Sequence, residues 1–359
     1  MKIEEIDRNF KISTVGDREI VYFNALEAPF RLEGFPWYPQ HHRLYRLPAR
    51  FTLQQVNQGE LDLAQHTSGG AVRFRTDARQ IAIRARLVFS FDMNHMPRTG
   101  SAGFDLFRGT GPEKFHIASA QPSRDQELLE MLLVADNDAG MQEWMLNLPL
   151  YGGVGALEIG VNPGSHLELP FPHAIPNPIL FYGSSITQGG CASRPGNAYT
   201  SMLCREVDAE QINLGFSGSA RGEFPLAEAI ADLELSVFVM DYDHNTPNPE
   251  HLRKTHEPFF RIIREKQPEL PIILMSKCDI WDYKNRKDDE ERRSIIRDTY
   301  EHALAAGDRN VYFIDGETLF GTTRRSWCTV DTCHPNDLGF FRMFEHTLPV
   351  LEEALKKYR

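Results

Sequence analysis

The sequence predicts two folded units in series: a β-sandwich of jelly-roll type over residues 1–172, then an α/β unit with a five-stranded, mostly parallel sheet over residues 176–359. Three observations predict it. Short alternating or β-branched runs fill the first half, strand and helix alternate in the second, and a proline-rich segment separates them. The length of 359 residues agrees, since domains commonly hold roughly 100–200 residues each.

In the first half, residues 72–75 and 81–87 alternate apolar and cationic side chains, as half-buried strands do. Further strands are predicted at 19–23, 103–107, 114–119, 143–148, 156–161 and 166–169, with turn residues such as Gly69, Gly70, Gly152, Gly153, Pro163 and Gly164 between them. Residues 125–134 carry a helical period instead. Pro170, Pro172, Pro176 and Pro178 neither continue a strand nor start a helix comfortably, so the boundary falls there. Beyond it, apolar runs at 179–182, 211–214, 236–240, 271–275 and 310–314 read as buried strands. Helices are predicted at 198–206, 226–233, 249–266, 288–306 and 337–357, with Pro258 and Pro349 inside two of them. The charge run 284–293 reads as the solvated start of a helix.

Composition narrows the function. The balance of 39 Lys and Arg against 50 Asp and Glu, a net charge of −11, disfavours nucleic acid and anionic membranes as partners. No apolar run approaches the roughly 18 residues of a membrane span, and the first ten residues lack the apolar core of a signal peptide. Five cysteines, Cys191, Cys204, Cys278, Cys328 and Cys333, are an odd set confined to the second half. They read as reduced thiols, and the expected location is cytoplasmic.

In a doubly wound sheet, ligands bind outside the carboxyl ends of the strands. Four of those ends carry polar clusters. Gly183, Ser184 and Ser185 lead into Ile186, Thr187, Gln188, Gly189 and Gly190, where a serine at a tight strand-to-helix turn can raise its hydroxyl above the sheet beside free N–H groups; an ordinary Ser/Gly loop is the plainer reading. The hydrolase elbow G-x-S-x-G fails here at Thr187 and again at Ser219, which argues against a common α/β-hydrolase. Gly218 offers a backbone N–H at close approach, or simply a turn. Asn245 is a neutral donor suited to a developing oxyanion, or a turn residue before Pro247. Asp241, Asp243 and His244 lack metal-ligand spacing, and no C-x-x-C pair accompanies Cys328, Cys333 and His334. Asp331 and His334, three apart, fit one face of a turn on which a carboxylate orients an imidazole, or the entry to the last helix.

In their order along one sheet, these blocks resemble the SGNH (GDSL-type) hydrolases, a flavodoxin-like group whose four motif blocks centre on Ser, Gly, Asn and His. The resemblance covers 176–359 and implies Ser185 as nucleophile, His334 as base and Asp331 as its orienting partner. It implies the Ser185 and Gly218 N–H groups and the Asn245 amide as oxyanion donors. Ser184 stands where the widest pattern has Asp, as in the branch that runs Ser-Ser-Ile-Thr-Gln-Gly-Gly, and Asp243 stands where a Gly often precedes the Asn. Residues 96–107, ending Gly103, Phe104, Asp105, Leu106 and Phe107, look like the G-x-D-L-Y signature of the jelly-roll domain found upstream in that branch, with Phe107 for Tyr. The resemblance implies a serine esterase for small O-acyl esters, acetyl above all, on a carbohydrate or polyol, with no metal and no organic cofactor. Transfer of the acyl group to an alcohol and sugar binding on an inactive scaffold are the alternatives. Trp37, Tyr38, His41, His42 and His95 are candidates to line a shared cleft, and a homo-oligomer is compatible with the sequence.

Overall fold

The computed structural model describes residues 12–124, 126–278 and 286–358. Its first part holds strands β1 (Ile12–Val15), β2 (Arg18–Asn24), β3 (Arg31–Glu33), β4 (Ala71–Thr76), β5 (Ile81–Phe89), β6 (Phe104–Arg108), β7 (Phe115–Ala120), β8 (Leu128–Val134), β9 (Gln142–Asn147), β10 (Gly153–Val161) and β11 (Leu167–Glu168). They form two antiparallel sheets, ordered β1-β2-β10-β5-β8 and β11-β4-β9-β6-β7, with β3 added beside β4. Alternation along each strand sends one set of side chains inward. Phe74, Leu106, Trp144 and Leu146 from one sheet meet Ile83, Ala85, Leu157 and Ile159 from the other in a single buried core. The intervening Arg84 faces outward, pairing with Glu130 at 2.7 Å and Glu158 at 3.3 Å.

One element departs from expectation. Within 125–134, Leu128–Val134 form strand β8, not helix. Leu, Glu and Met favour a helix, yet β8 pairs antiparallel with β5, placing Leu129 opposite Ala85 and Val134 opposite Ile81. Burial of Leu129, Leu133 and Val134 in the sandwich core overrides the local preference.

The second part has five parallel strands, β12 (Ile179–Gly183), β13 (Gln211–Gly215), β14 (Val237–Asp241), β15 (Ile272–Met275) and β16 (Val311–Ile314), in the order β13-β12-β14-β15-β16. Helices α1 (Ser185–Gln188), α2 (Tyr199–Val207), α3 (Phe224–Ala231), α4 (Pro249–Lys266), α5 (Arg286–Ala305) and α6 (Asp337–Ala354) connect and flank them. Because successive strand residues point to opposite faces, Leu180 and Tyr182 enter one apolar layer with α3, α4 and α5, while Ile179 and Phe181 enter the other with α2 and α6. The order of strands reverses between β12 and β14, which makes the loops after them the natural place for a ligand.

The two parts are joined by buried polar contacts. Asp105 of the G-x-D-L segment is fully buried and accepts from Asn147 Nδ2 at 2.7 Å, Arg194 NH1 at 2.9 Å and the Gly196 N–H at 2.8 Å. Phe107 lies beneath the guanidinium groups of Arg194 and Arg205, and a Cβ on Gly196 would collide with its ring. Buried Arg73 pairs with Glu33 and Glu143 and donates to the Phe171 carbonyl at 2.9 Å, fastening the proline-rich segment. Among the described residues no helix is long and apolar enough to cross a membrane. All five cysteines are free.

Candidate active site

β12 ends at Gly183, where a Cβ would strike the Asp241 carbonyl and Thr187, so only glycine permits the sharp exit. Ser184 caps the short helix that follows, its Oγ accepting from the Ile186 N–H at 3.2 Å. That leaves Ser185 at the first helical position, half-buried, with its hydroxyl free for chemistry. Ser185 Oγ lies 2.9 Å from His334 Nε2, and His334 Nδ1 lies 2.7 Å from Asp331 Oδ2. Asp331 Oδ1 accepts from the backbone N–H groups of Cys333 (3.0 Å) and His334 (2.7 Å). Thr332, at φ 70°, supplies the left-handed residue that tightens this turn. Partial burial pushes the Asp331 carboxyl up, but the hydrogen bonds from His334 and Cys333 outweigh it and hold the acid below the ordinary carboxylate range.

The donors lie on neighbouring strand ends. Ser185, at the helix start, and Gly218, after β13, have backbone N–H groups without acceptors among the described residues. Gly218 sits at φ 68° with open space where a side chain would point. Asn245 ends a single helical turn after β14, and its Nδ2 donates to the Phe216 carbonyl at 2.8 Å. An amide has a second N–H, so Asn245 can brace the Gly218 loop and still donate elsewhere. Together these groups place a hydroxyl against an imidazole and three N–H donors around it, an arrangement able to perform acyl transfer.

The other acidic residues of the β14 loop serve structure. Asp241 accepts from Thr187 Oγ1 at 3.0 Å and Tyr199 Oη at 3.1 Å, and burial beside Asp243 pushes its carboxyl well up. Asp243 accepts from the Lys277 N–H at 3.0 Å, and burial pushes it up to about 6. Burial, with the cationic side chains of Lys277 and Arg292 nearby, pushes His244 well down. Cys191 is a rival nucleophile, its Sγ within 4.8 Å of a His334 ring nitrogen, but burial and the Asp331 charge push its thiol up to about 12, leaving it protonated at neutral pH. Among the described residues one group has metal-binding geometry, His95, Cys191 and His334, with ligand atoms within 4.8 Å of one another; neither the β14 acids nor Cys328 and Cys333 belong to it.

Of the five cleft candidates in the first part, His95 alone reaches the site, its ring centroid 5.5 Å from that of His334. Trp37 is buried in the core beside Tyr182 and Phe216. Tyr38 and His42 meet edge-on, as do His41 and Tyr45, because this short segment turns back on itself.

Several supporting residues lie outside the site set that the sequence predicts. Gln188 accepts from the Ser217 N–H at 3.0 Å and donates to Leu150 O and to His66 Nδ1. His66, which burial pushes down to about 3, is therefore a neutral acceptor. The Tyr151 hydroxyl stands 3.5 Å from the Ser185 carbonyl. Arg46 is fully buried and donates to the carbonyls of Leu63, His66, Asn213 and Gly215, each at 2.8 Å. Gln188 lies inside the Ser-Ser-Ile-Thr-Gln-Gly-Gly string and could have been suspected; His66 and Arg46 sit in segments with no motif.

Residues 176–352 match the GDSL-like lipase/acylhydrolase family, and residues 20–167 match GxDLY, the N-terminal region of SGNH-hydrolase-type esterases. A GDSL-like lipase from Bacteroides ovatus is 28% identical, with 94% of this chain and 98% of that one aligned at a TM-score of 0.84. A salicylyl-acyltransferase from a tetracycline biosynthetic pathway is 20% identical over the same shares, with a TM-score of 0.79. A family-two carbohydrate esterase from Clostridium thermocellum, solved with cellohexaose, is 15% identical, covering 80% of this chain and 93% of that one at a TM-score of 0.62. The last two likenesses establish the fold alone. No curated protein matches the chain.

Proposed function

Because the chain belongs to the GDSL-like lipase/acylhydrolase family, in the branch that carries a GxDLY-type N-terminal region, and is a hydrolase, we propose that it is a serine esterase that removes small O-acyl groups, acetyl above all, from a carbohydrate or related polyol. The observation that carries the reading is the continuous chain from Ser185 Oγ to His334 Nε2 (2.9 Å) and from His334 Nδ1 to Asp331 Oδ2 (2.7 Å). His334 takes the serine proton as Oγ attacks the ester carbonyl, then returns it to the leaving alcohol; Asp331 orients the ring and supports the imidazolium. The N–H groups of Ser185 and Gly218 and the Asn245 amide stabilise the tetrahedral oxyanion. Water, activated by the same histidine, then releases the acid. None of these steps requires a metal or organic cofactor.

The division at 1–172 and 176–359 belongs to the same proposal, the first unit bracing the loops of the second. The carbohydrate esterase with its bound cellohexaose supports a sugar ester by shared fold. Five free thiols, four of them buried, fit a reducing cytoplasm. The test is turnover of p-nitrophenyl acetate and of acetylated sugars, followed by mass spectrometry, together with fluorophosphonate labelling. Free acetate and a label on Ser185 are expected. Acetyl groups delivered to added polyols in preference to water would replace the hydrolase by an acyltransferase, and sugar affinity without labelling would mean an inactive scaffold.

A further inference from the structure

Two side chains beside the triad have no part in the chemistry above. His95 comes from the loop between β5 and the helical turn Arg98–Ser101, and its exposed ring meets that of His334 edge-on at 5.5 Å. Cys191 follows Gly190 at φ 76°, buried, in a loop held from both parts of the fold. Thr99 Oγ1 donates to the Ser193 carbonyl at 2.6 Å, Asp337 accepts from the Ser193 N–H at 2.8 Å, and Gly100 packs directly on the Ala192 carbonyl. The donor atoms of His95, Cys191 and His334 all lie within 4.8 Å of one another.

We propose that these three residues form an inhibitory site for a borderline-soft divalent cation, Zn²⁺ above all, which binds His334 Nε2, the His95 imidazole and Cys191 Sγ and so takes the base away from Ser185. Two imidazoles and a thiolate are a zinc donor set, and three protein ligands leave the fourth tetrahedral position to water or the serine hydroxyl. With Zn–N near 2.0–2.1 Å and Zn–S near 2.3 Å, donors around one ion stand roughly 3.3–3.6 Å apart, so side-chain rotation of about an ångström closes the set, and exposed His95 is free to supply it. The hydrogen bond from His334 Nδ1 to Asp331 (2.7 Å) leaves Nε2 as the ring's lone-pair nitrogen, facing the Ser185 side of the site, and is the carboxylate–histidine arrangement that supports zinc ligands. Binding releases the Cys191 thiol proton to solvent and changes no oxidation state. The bound ion blocks proton transfer, and a chelator restores it. The binding stands on geometry alone; the inhibition rests on the reading of His334 as the base.

The test uses the full chain, first stripped with EDTA. Titration with Co²⁺ should give one equivalent bound, with tetrahedral visible bands and a thiolate-to-cobalt charge-transfer band that Cys191→Ser abolishes. Zn²⁺ should inhibit p-nitrophenyl acetate turnover, with EDTA reversing it. In His95→Ala, which alters only an exposed side chain, the half-inhibiting Zn²⁺ concentration should rise at least about tenfold relative to that variant's own metal-free rate. A cobalt spectrum without the thiolate band, or equal zinc sensitivity in wild type and both variants, would overturn the site. The thiolate band in a protein with no esterase turnover would uphold the site and count against the function proposed above.

Discussion

Arg46→Met tests whether the first unit builds the oxyanion site or merely leans on it. The guanidinium is fully buried and makes four 2.8 Å hydrogen bonds, to the carbonyls of Leu63, His66, Asn213 and Gly215. It lies 4.8 Å over the Phe216 ring, and burial without a carboxylate partner draws its pKa down to about 9. Methionine nearly matches its length and keeps the apolar contact with Phe216, but leaves the His66, Asn213 and Gly215 carbonyls without their donor, while the Leu63 carbonyl keeps the His66 N–H at 3.0 Å. At about 1–3 kcal/mol for each buried orphan, partly offset because no charge is now buried, the net loss is about 3–5 kcal/mol. At roughly 2–4 °C per kcal/mol, that lowers Tm by about 6–20 °C. Two of the four acceptors lead directly into Phe216, whose carbonyl holds Asn245, and Gly218, so the substitution should also misplace oxyanion donors. Loss of one such donor costs about 10²–10³ in kcat; a displaced loop should cost about 10–100, with KM little changed because the donors act on the transition state. Steady-state kinetics on p-nitrophenyl acetate, well below the new Tm, and a denaturant titration give both numbers. A variant destabilised by several kcal/mol whose kcat stays within about twofold would refute the link from Arg46 to the oxyanion loop.

Ser185→Ala should lower kcat by about 10⁴ or more and abolish fluorophosphonate labelling while leaving Tm nearly unchanged; labelling that persists would identify another nucleophile. Asp331→Asn should cost about 10³–10⁴ in kcat at similar KM, through loss of ring orientation, and a mild effect in steady-state assays would remove Asp331 from the triad. Asp105→Ala leaves Arg194, Asn147 and the Gly196 N–H without their shared acceptor, so chemical denaturation should report a loss of about 2–4 kcal/mol. Glu60→Gln is expected to stabilise. Burial, with the Glu223 carboxyl beside it, pushes Glu60 up to about 10 from 4.5, so the fold holds a proton there that the unfolded chain releases above about pH 4.5. Stability therefore falls as pH rises through that range, by about 3 kcal/mol at pH 7, and glutamine recovers this at pH 7 but not at pH 4. A gain of equal size at both pH values would show that Glu60 is ionised in the fold.

The chemistry of the candidate site was legible where its determinants are local. Gly183 and Ser185 span three residues at a strand end, and Asp331 with His334 spans four, so the turn itself brings the donors of each block together. The parallel strands were equally plain, since burial on both faces demands continuous apolar runs such as those of β12 and β14. Strand β8 escapes the sequence because a period of a few residues cannot express the partner that pairs with it across the sheet. The assembled site depended on contacts far apart in the chain. Ser185 and His334 are 149 residues apart, and Arg46 reaches Asn213 across 167. Side-chain type and spacing specify what each strand end can do, because those properties are local. Which ends converge, which buried arginine braces them and that His95 and Cys191 stand against His334 follow only from packing, where burial of apolar layers fixes the distance between residues that the chain keeps apart.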